Sequence, residues 1–258
     1  MPSADPIFNT AAVAALAAAH FGRQGTVRAL PGELDLNFRL DTPEGDIFLL
    51  KVAHDGEDRT HLDMQAAMMT CLAAHPPNGF LLPQAVPDLE GALVTRVQDT
   101  HGRPRWLRMI SWVPGRVLAE VTPHPDTLLE SIGEACGQLC RRLEGFDHPG
   151  AHRRLKWDVA RTDWVSEHLA RIPDTDRQAV ARHVHGRFVT QVLPTADRLR
   201  KSVIYHDAND YNVLVDAHPT HPKVCGIIDF GDAVHTYTVA DLAVAIAYAA
   251  MHKHRPLD

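Results

Sequence analysis

Apolar positions recur along the chain with two different periods, and the switch between them organises it. Residues 11–19 form an alanine-rich run bounded by Asn9-Thr10 and Gly22. That predicts a helix capped at Asn9 or Thr10 and stopped near Gly22. Short apolar runs follow at 27–30, 37–40 and 47–52, separated by Pro31-Gly32-Glu33-Leu34-Asp35 and Thr42-Pro43-Glu44-Gly45-Asp46. Runs of this length joined by such turns predict an antiparallel meander. Residues 57–74 change to helical spacing, with Leu62, Ala66, Met69 and Leu72 or Ala73 on one stripe. Two more strands are expected at 92–97 and 106–112, making five strands and one inserted helix. Val113-Pro114-Gly115-Arg116 breaks the pattern. Beyond it the spacing predicts helices over 126–144 (stripe Leu128, Ile132, Ala135, Leu139, Leu143), 163–171, 177–200 with a break near Pro194, and 239–251.

Composition narrows the class. At 258 residues the chain holds one large domain or two small lobes around a cleft. A net charge of −6 argues against a general nucleic-acid binder. No apolar run is long enough to span a bilayer, so no membrane role is expected. The alanine run lacks a basic leader, has Asp5 before it and His20-Phe21-Gly22 after it, and reads as a helix rather than a signal peptide. Cys71, Cys136, Cys140 and Cys225 are far apart or inside apolar patterns, which fits reduced thiols and a cytoplasmic protein. Cys136 and Cys140 lie one helical turn apart, but no Cys or His at matching spacing accompanies them, so buried thiols are expected there.

The chemistry concentrates in residues 203–232. Asp207 stands in a loop after a short apolar run, and Asn212 comes five residues later, directly before Val213-Leu214-Val215. A second apolar run, 224–228, ends in Asp229-Phe230-Gly231-Asp232, and His218-Pro219-Thr220-His221-Pro222 separates the two. The resulting hairpin brings Asn212 and Asp229 to one end. An amide oxygen and a carboxylate together suit magnesium. Asp207 is placed to accept a proton from an attacking hydroxyl. D-x-x-x-x-N followed by D-F-G is the two-part kinase signature.

Lys51 is a cation inside an apolar run. It is either an edge lysine reaching water or, as the later motifs favour, a strand lysine reaching nucleotide phosphates. Glu57 and Asp63 are the candidates to pair with it. A hinge is placed at 111–115, either a plain strand exit or a segment whose backbone N–H and C=O groups meet a purine edge. Lys156-Trp157-Asp158 either lines a pocket or, preferably, anchors a loop. Trp157, Asp210 and Asp232 are the candidates for an acceptor pocket.

With these residues in place, the chain resembles the aminoglycoside phosphotransferase and choline kinase superfamily. H-D-A-N-D-Y-N-V-L-V with I-I-D-F-G-D looks most like hydroxylysine-kinase-like domains, including those fused to class-III aminotransferase-like phospho-lyases. N-F-R-L, F-L-L-K-V and S-W-V-P-G-R agree with it. The resemblance implies an α+β, bilobal protein-kinase-like fold: a five-stranded antiparallel sheet plus helix in a nucleotide-binding lobe, residues 1–113, and a mainly helical catalytic lobe with the hairpin, residues 114–258. It implies Asp207 as catalytic base, Asn212 and Asp229 on Mg2+, Lys51 on the nucleotide phosphates, and the backbone of Ser111, Trp112 and Val113 on the base of ATP or GTP. Asp232 either assists at the metal or meets a cationic substrate. The expected reaction moves a γ-phosphoryl group to the hydroxyl of an amino alcohol or hydroxylated amine of the hydroxylysine or ethanolamine kind. The alternatives are an aminoglycoside- or homoserine-type phosphotransferase and a nucleotide-binding regulatory module with impaired catalysis. Two departures stand out. Tyr205 occupies the place two before the catalytic Asp where the family usually has His, and the lysine-pairing position reads Asp63-Met64-Gln65. Members usually continue past the 239–251 helix, so a truncated chain, or one domain of a longer polypeptide with an aminotransferase-like partner domain, is expected.

Overall fold

The computed structural model describes residues 7–251; Asp5 and the chain end at Asp258, both used above, lie outside the described residues. Contacts group the chain into two units, one built on the chain up to Pro114 with Gly226–Ile228, the other on Gly115–Cys225 and the chain from Asp229 onward.

The first unit opens with α1 (Thr10–Phe21). Asn9 caps it, its side chain accepting the Ala12 N–H at 2.8 Å, and Gly22 ends it at φ 62, the left-handed conformation that glycine adopts at least cost. The helix buries Val13, Ala17 and Phe21 in one cluster with Phe38, Leu40, Phe48 and Leu50. Those four belong to β2 (Leu36–Asp41) and β3 (Ile47–Val52), which with β1 (Thr26–Leu30) form the expected meander. Next comes α2 (Arg59–Ala74), capped by Asp58, whose side chain takes the Thr60 N–H at 2.8 Å. The sheet then gains β4 (Ala85–Val86), β5 (Thr95–Gln98) and β6 (Pro104–Ser111), in the order β1-β2-β3-β6-β4 with β5 also on β6. It therefore has six strands, one more than the sequence pattern suggested. Strand β4 is two residues between Pro83 and Pro87, too short to show a period. Residues 92–94 drop out of the expected strand because Asp88 draws the chain into a turn, its carboxylate accepting the Ala92 N–H at 2.8 Å and its N–H reaching the Ala92 carbonyl at 2.8 Å.

The second unit begins at Gly115. A Cβ there would sit 2.8 Å from both Cys225 Sγ and Leu214 Cβ, and φ is 150, so this turn accepts only glycine. It leads into β7 (Arg116–Val117) and then α3 (Asp126–Arg142), which buries the predicted stripe of Leu128, Ile132, Ala135 and Leu139. The helices expected at 163–171 and 177–200 are broken more than foreseen. The first is a single turn, α4 (Val165–His168), continued as a 3-10 turn. The second is α5 (Thr175–Arg187), which passes into a π turn at Phe188–Val192 and a 3-10 piece at Leu193–Arg198. Pro194 lies inside that last piece, where its missing N–H has no α-helical partner to lose.

The candidate chemistry is held by small strands. Strand β8 (Lys201–Ile204) pairs antiparallel with β11 (Val234–Tyr237), and β9 (Val213–Val215) lies between β7 and β10 (Val224–Ile227). Each of the two loops of interest, 205–212 and 228–233, is thus tethered by a strand at both ends. The chain closes on α6 (Val239–Ala250). Among the described residues, no helix is long and apolar enough to cross a membrane.

Candidate active site

The loop between β8 and β9 is shaped by an asparagine that sequence reading passed over. Asn209 Oδ1 accepts the N–H groups of Tyr211 at 2.8 Å and Asn212 at 3.0 Å, closing a tight turn, while its Nδ2 donates to Asp207 Oδ1 at 2.8 Å. Asn212 Nδ2 donates to the other oxygen of Asp207 at 2.5 Å. Asp207 is therefore gripped on both oxygens and its carboxylate plane is fixed. The Asn212 amide is oriented by the same bond, and its Oδ1 accepts no hydrogen bond among the described residues. That leaves one hard oxygen beside a fixed carboxylate, as a magnesium ligand requires.

Behind the loop lies a second residue that the sequence reading missed. Asp241, on α6 and 3% exposed, accepts the His206 N–H at 2.7 Å, and the Tyr205 N–H acts on its carboxyl to lower the pKa. Asp241 holds the residue immediately before Asp207. Burial pushes its carboxyl up to about 6. A charge inside the otherwise apolar Val239-Ala240-Asp241-Leu242-Ala243-Val244 was the available signal. Tyr205 is fully buried and meets the Phe230 ring edge-on at 5.2 Å between centroids. This ring pair ties the loop holding Asp207 to the loop holding Asp229. His206 adopts φ 66 with its ring buried, and burial lowers its pKa.

On the facing loop, Asp229 takes φ 58 and its Oδ1 accepts the Gly231 N–H at 3.0 Å. Arg153 donates to the Gly231 carbonyl and lies 3.8 Å from Asp232. Burial pushes the Asp207 carboxyl up to about 7; the Asp232 and Asp229 charges act in the same direction, and the hydrogen bonds from Asn209 and Asn212 oppose them. For Asp207 to take a proton from an acceptor it must be ionised, so in that role activity should be lost as pH falls through its pKa. Asp232→Asn removes a like charge and lowers that pKa. The acid limb of the kcat/KM profile then moves to lower pH in the variant, which a pH–rate comparison with the unmodified protein measures.

In the first unit, Lys51 is buried on β3, opposite Asn37 of β2 and Arg108 of β6. Asp63 does not face the sheet. It pairs with Arg59 at 2.8 Å on a side of α2 where both side chains are about 40% exposed. The inward position belongs to Gln65, which is 5% exposed and accepts from Arg108 Nη1 at 2.6 Å. Glu57 is engaged by His61 at 3.1 Å. At the end of β6, the Ser111 N–H goes to the Gln84 carbonyl and the Trp112 N–H to that of Ile47. The Gln84 N–H turns to Ser111 Oγ at 2.9 Å, sparing the Ser111 carbonyl. The Val113 N–H makes no hydrogen bond among the described residues. Of the three hinge residues, Ser111 through its carbonyl and Val113 through its N–H are thus available to a ligand, and the Trp112 N–H is not.

The remaining candidates scatter. Trp157 is 56% exposed and meets Trp164 edge-on, with Lys156 over its face at 4.9 Å. Asp158 beside it is buried and bonds Thr236 of β11 at 2.8 Å, which accounts for this cluster as a loop anchor. Asp210 is half-buried, and its carbonyl accepts the Ala119 N–H at 2.8 Å.

With this geometry in view, the profile of the phosphotransferase enzyme family (APH) matches residues 26–257. The chain belongs to this family. It is a phosphotransferase with an alcohol group as acceptor. A hydroxylysine kinase of Danio rerio is 27% identical over 242 residues, which cover 90% of this chain and 67% of that protein. Among solved structures, a microcompartment-associated aminopropanol kinase aligns with a TM-score of 0.68 at 19% identity, over 95% of this chain and 76% of its own. An amicoumacin kinase solved with AMP-PNP and Ca2+ aligns with a TM-score of 0.67 at 17% identity, over 95% of this chain and 70% of its own. The mixed α/β architecture with antiparallel sheets is the kinase-like fold of these enzymes. Members of the phosphotransferase family act on small molecules, and this chain is a small-molecule phosphotransferase.

Proposed function

We propose that this phosphotransferase moves the γ-phosphoryl group of ATP or GTP to the hydroxyl of an amino alcohol or hydroxylated amine, of the hydroxylysine or ethanolamine kind. The observation that carries the reading is Asp207, clamped by Asn209 and Asn212, with its carboxyl pushed up to about 7. A base titrating near neutrality is matched to taking a proton from an alcohol as the phosphoryl group arrives. In this reading Asp207 orients the acceptor hydroxyl and takes its proton. Asn212 and Asp229 hold Mg2+, which, when bound, neutralises charge on the phosphates. Lys51 takes the nucleotide phosphates, and the Ser111 carbonyl with the Val113 N–H takes the purine edge. Residues 1–113 then serve as the nucleotide-binding part and 114–258 as the catalytic part.

The amine half of the acceptor rests on charge. Asp207, Asp210, Asp229 and Asp232 lie in the two loops and their borders, and Asp232 raises the Asp207 pKa through its field. A cationic acceptor is attracted where a neutral alcohol is not. The hydroxylysine kinase relatives and the aminopropanol kinase neighbour support the same class. Tyr205 gives no support to an inactive module, because its ring fills the space against Phe230 that the loop pair needs filled.

The test is a coupled nucleotide-consumption assay with Mg2+ across hydroxylysine, ethanolamine, aminopropanol, choline, homoserine and an aminoglycoside, with ATP and GTP in parallel. Turnover is expected with a small hydroxylated amine. Turnover confined to the aminoglycoside or to homoserine would replace the acceptor class, and nucleotide binding without turnover on any acceptor would contradict the proposal.

A further inference from the structure

The first unit gathers a second cluster of ligating side chains that phosphoryl transfer does not use. Asp35 ends the turn before β2, His54 follows β3 and Glu57 precedes α2; one ligand atom from each lies within 4.8 Å of the other two. All three are half-buried, so the cluster is reachable from solvent.

A chain of donors fixes their orientation. Arg108 Nη2 donates to Asp35 Oδ2 at 2.9 Å, and Arg108 Nη1 donates to Gln65 Oε1 at 2.6 Å. The Gln65 amide is thereby oriented with Nε2 toward His61 Nε2, 3.2 Å away, which must accept. His61 then carries its proton on Nδ1 and donates it to Glu57 Oε1 at 3.1 Å. Glu57 Oε1 also takes the Asp58 N–H at 3.0 Å. One oxygen of each carboxylate is thus occupied by a donor behind it.

The other two oxygens converge on a single nitrogen. His54 Nδ1 lies 3.4 Å from Asp35 Oδ1 and 3.5 Å from Glu57 Oε2. Asp35 Oδ1 also accepts the His54 backbone N–H at 3.2 Å. One Nδ1–H serves one acceptor, and both separations exceed the roughly 2.7–3.2 Å of a sound N–H···O bond. They match instead the spacing of neighbouring ligands on a tetrahedral ion, about 3.3–3.4 Å for bonds of about 2.0–2.1 Å. Carboxylates steadied on their second oxygen by Arg108 and His61 have the support that metal ligands ordinarily receive. An imidazole nitrogen beside two carboxylate oxygens suits zinc and its first-row neighbours better than magnesium.

We propose that Asp35, His54 and Glu57 bind one divalent transition-metal ion of the zinc class, with a coordination position left to water, and that the ion pins the Pro31-Gly32-Glu33-Leu34-Asp35 turn to the start of α2. The full chain, stripped with chelator, would be titrated calorimetrically with Zn2+ in excess Mg2+, and its visible absorption followed with Co2+. One equivalent should bind, with cobalt ligand-field bands and a raised thermal midpoint. His54→Ala and Glu57→Gln, the latter keeping an oxygen for His61, should each weaken that equivalent by about tenfold or more. Asp207→Asn should bind it unchanged, which separates this site from the fate of the phosphoryl-transfer reading. Absence of saturable binding by the unmodified chain, or an affinity in both cluster variants equal to that of the unmodified chain, would overturn the site and leave His54 as a hydrogen-bonding partner of the two carboxylates.

Discussion

Asp207→Asn lowers kcat for phosphoryl transfer by about 10²–10⁴-fold, the range a lost general base commands, while the nucleotide KM stays nearly unchanged. The substitution keeps the size of the side chain and one acceptor oxygen, so the clamp by Asn209 and Asn212 is altered but not emptied. The same variant is expected to gain stability. The Asp207 carboxyl is raised in the folded chain, to about 7 from an ordinary value of 3.8. A carboxylate raised in this way binds its proton more tightly folded than unfolded. Its contribution to stability is greatest below the ordinary carboxylate range and is lost as pH rises through about 4 to 7. Above that window the unmodified protein bears the full cost of a buried, crowded charge, and the asparagine does not. Thermal melts should show the variant ahead at about pH 8 and the gap narrowing as the pH falls toward 5. Loss of activity joined to a gain of stability is what a functional charge predicts and a structural one does not.

The second large effect lies outside the reacting residues. Asp241→Leu should cost about 1–3 kcal/mol of stability, because the buried backbone N–H of His206 loses its acceptor. Asp241 acts on the reaction only through the loop, so kcat should fall with the stability. Asp241→Asn keeps an acceptor oxygen and sheds a carboxyl that burial has already pushed up to about 6, so it should lose well under half as much. Denaturant unfolding of the two variants beside the unmodified chain makes the comparison. Equal losses in both would mean that the charge of Asp241, not its hydrogen bonds, holds the loop.

The residues carrying the most chemistry stand out in the sequence because their types are rare in that order. An Asp, an Asn five residues on, and an Asp-Phe-Gly after a second apolar run leave few readings. The strands of the first sheet are legible because tight turns punctuate them. Strand β4 is not, since two residues fall below any period. Asn209 is hidden because an asparagine in a loop is ordinary; only the folded loop reveals that one amide orders both Asp207 and Asn212. Gln65 could have been found. His61, Gln65, Met68 and Leu72 share one buried side of α2, and Asp63 with Arg59 lies off it, so helical spacing already argues against Asp63 as an inward carboxylate.

The proposed transfer of a nucleotide's terminal phosphoryl group to the hydroxyl of a small amine, with Asp207 as base, yields a phosphomonoester and a nucleoside diphosphate. Phosphorus NMR of the unmodified chain incubated with Mg2+, nucleotide and hydroxylysine or ethanolamine tests it most directly. A new phosphomonoester resonance should grow in step with the nucleoside diphosphate, and almost none should form in the same time with Asp207→Asn. A diphosphate signal accompanied only by free phosphate, or an ester formed equally fast by the variant, would contradict it.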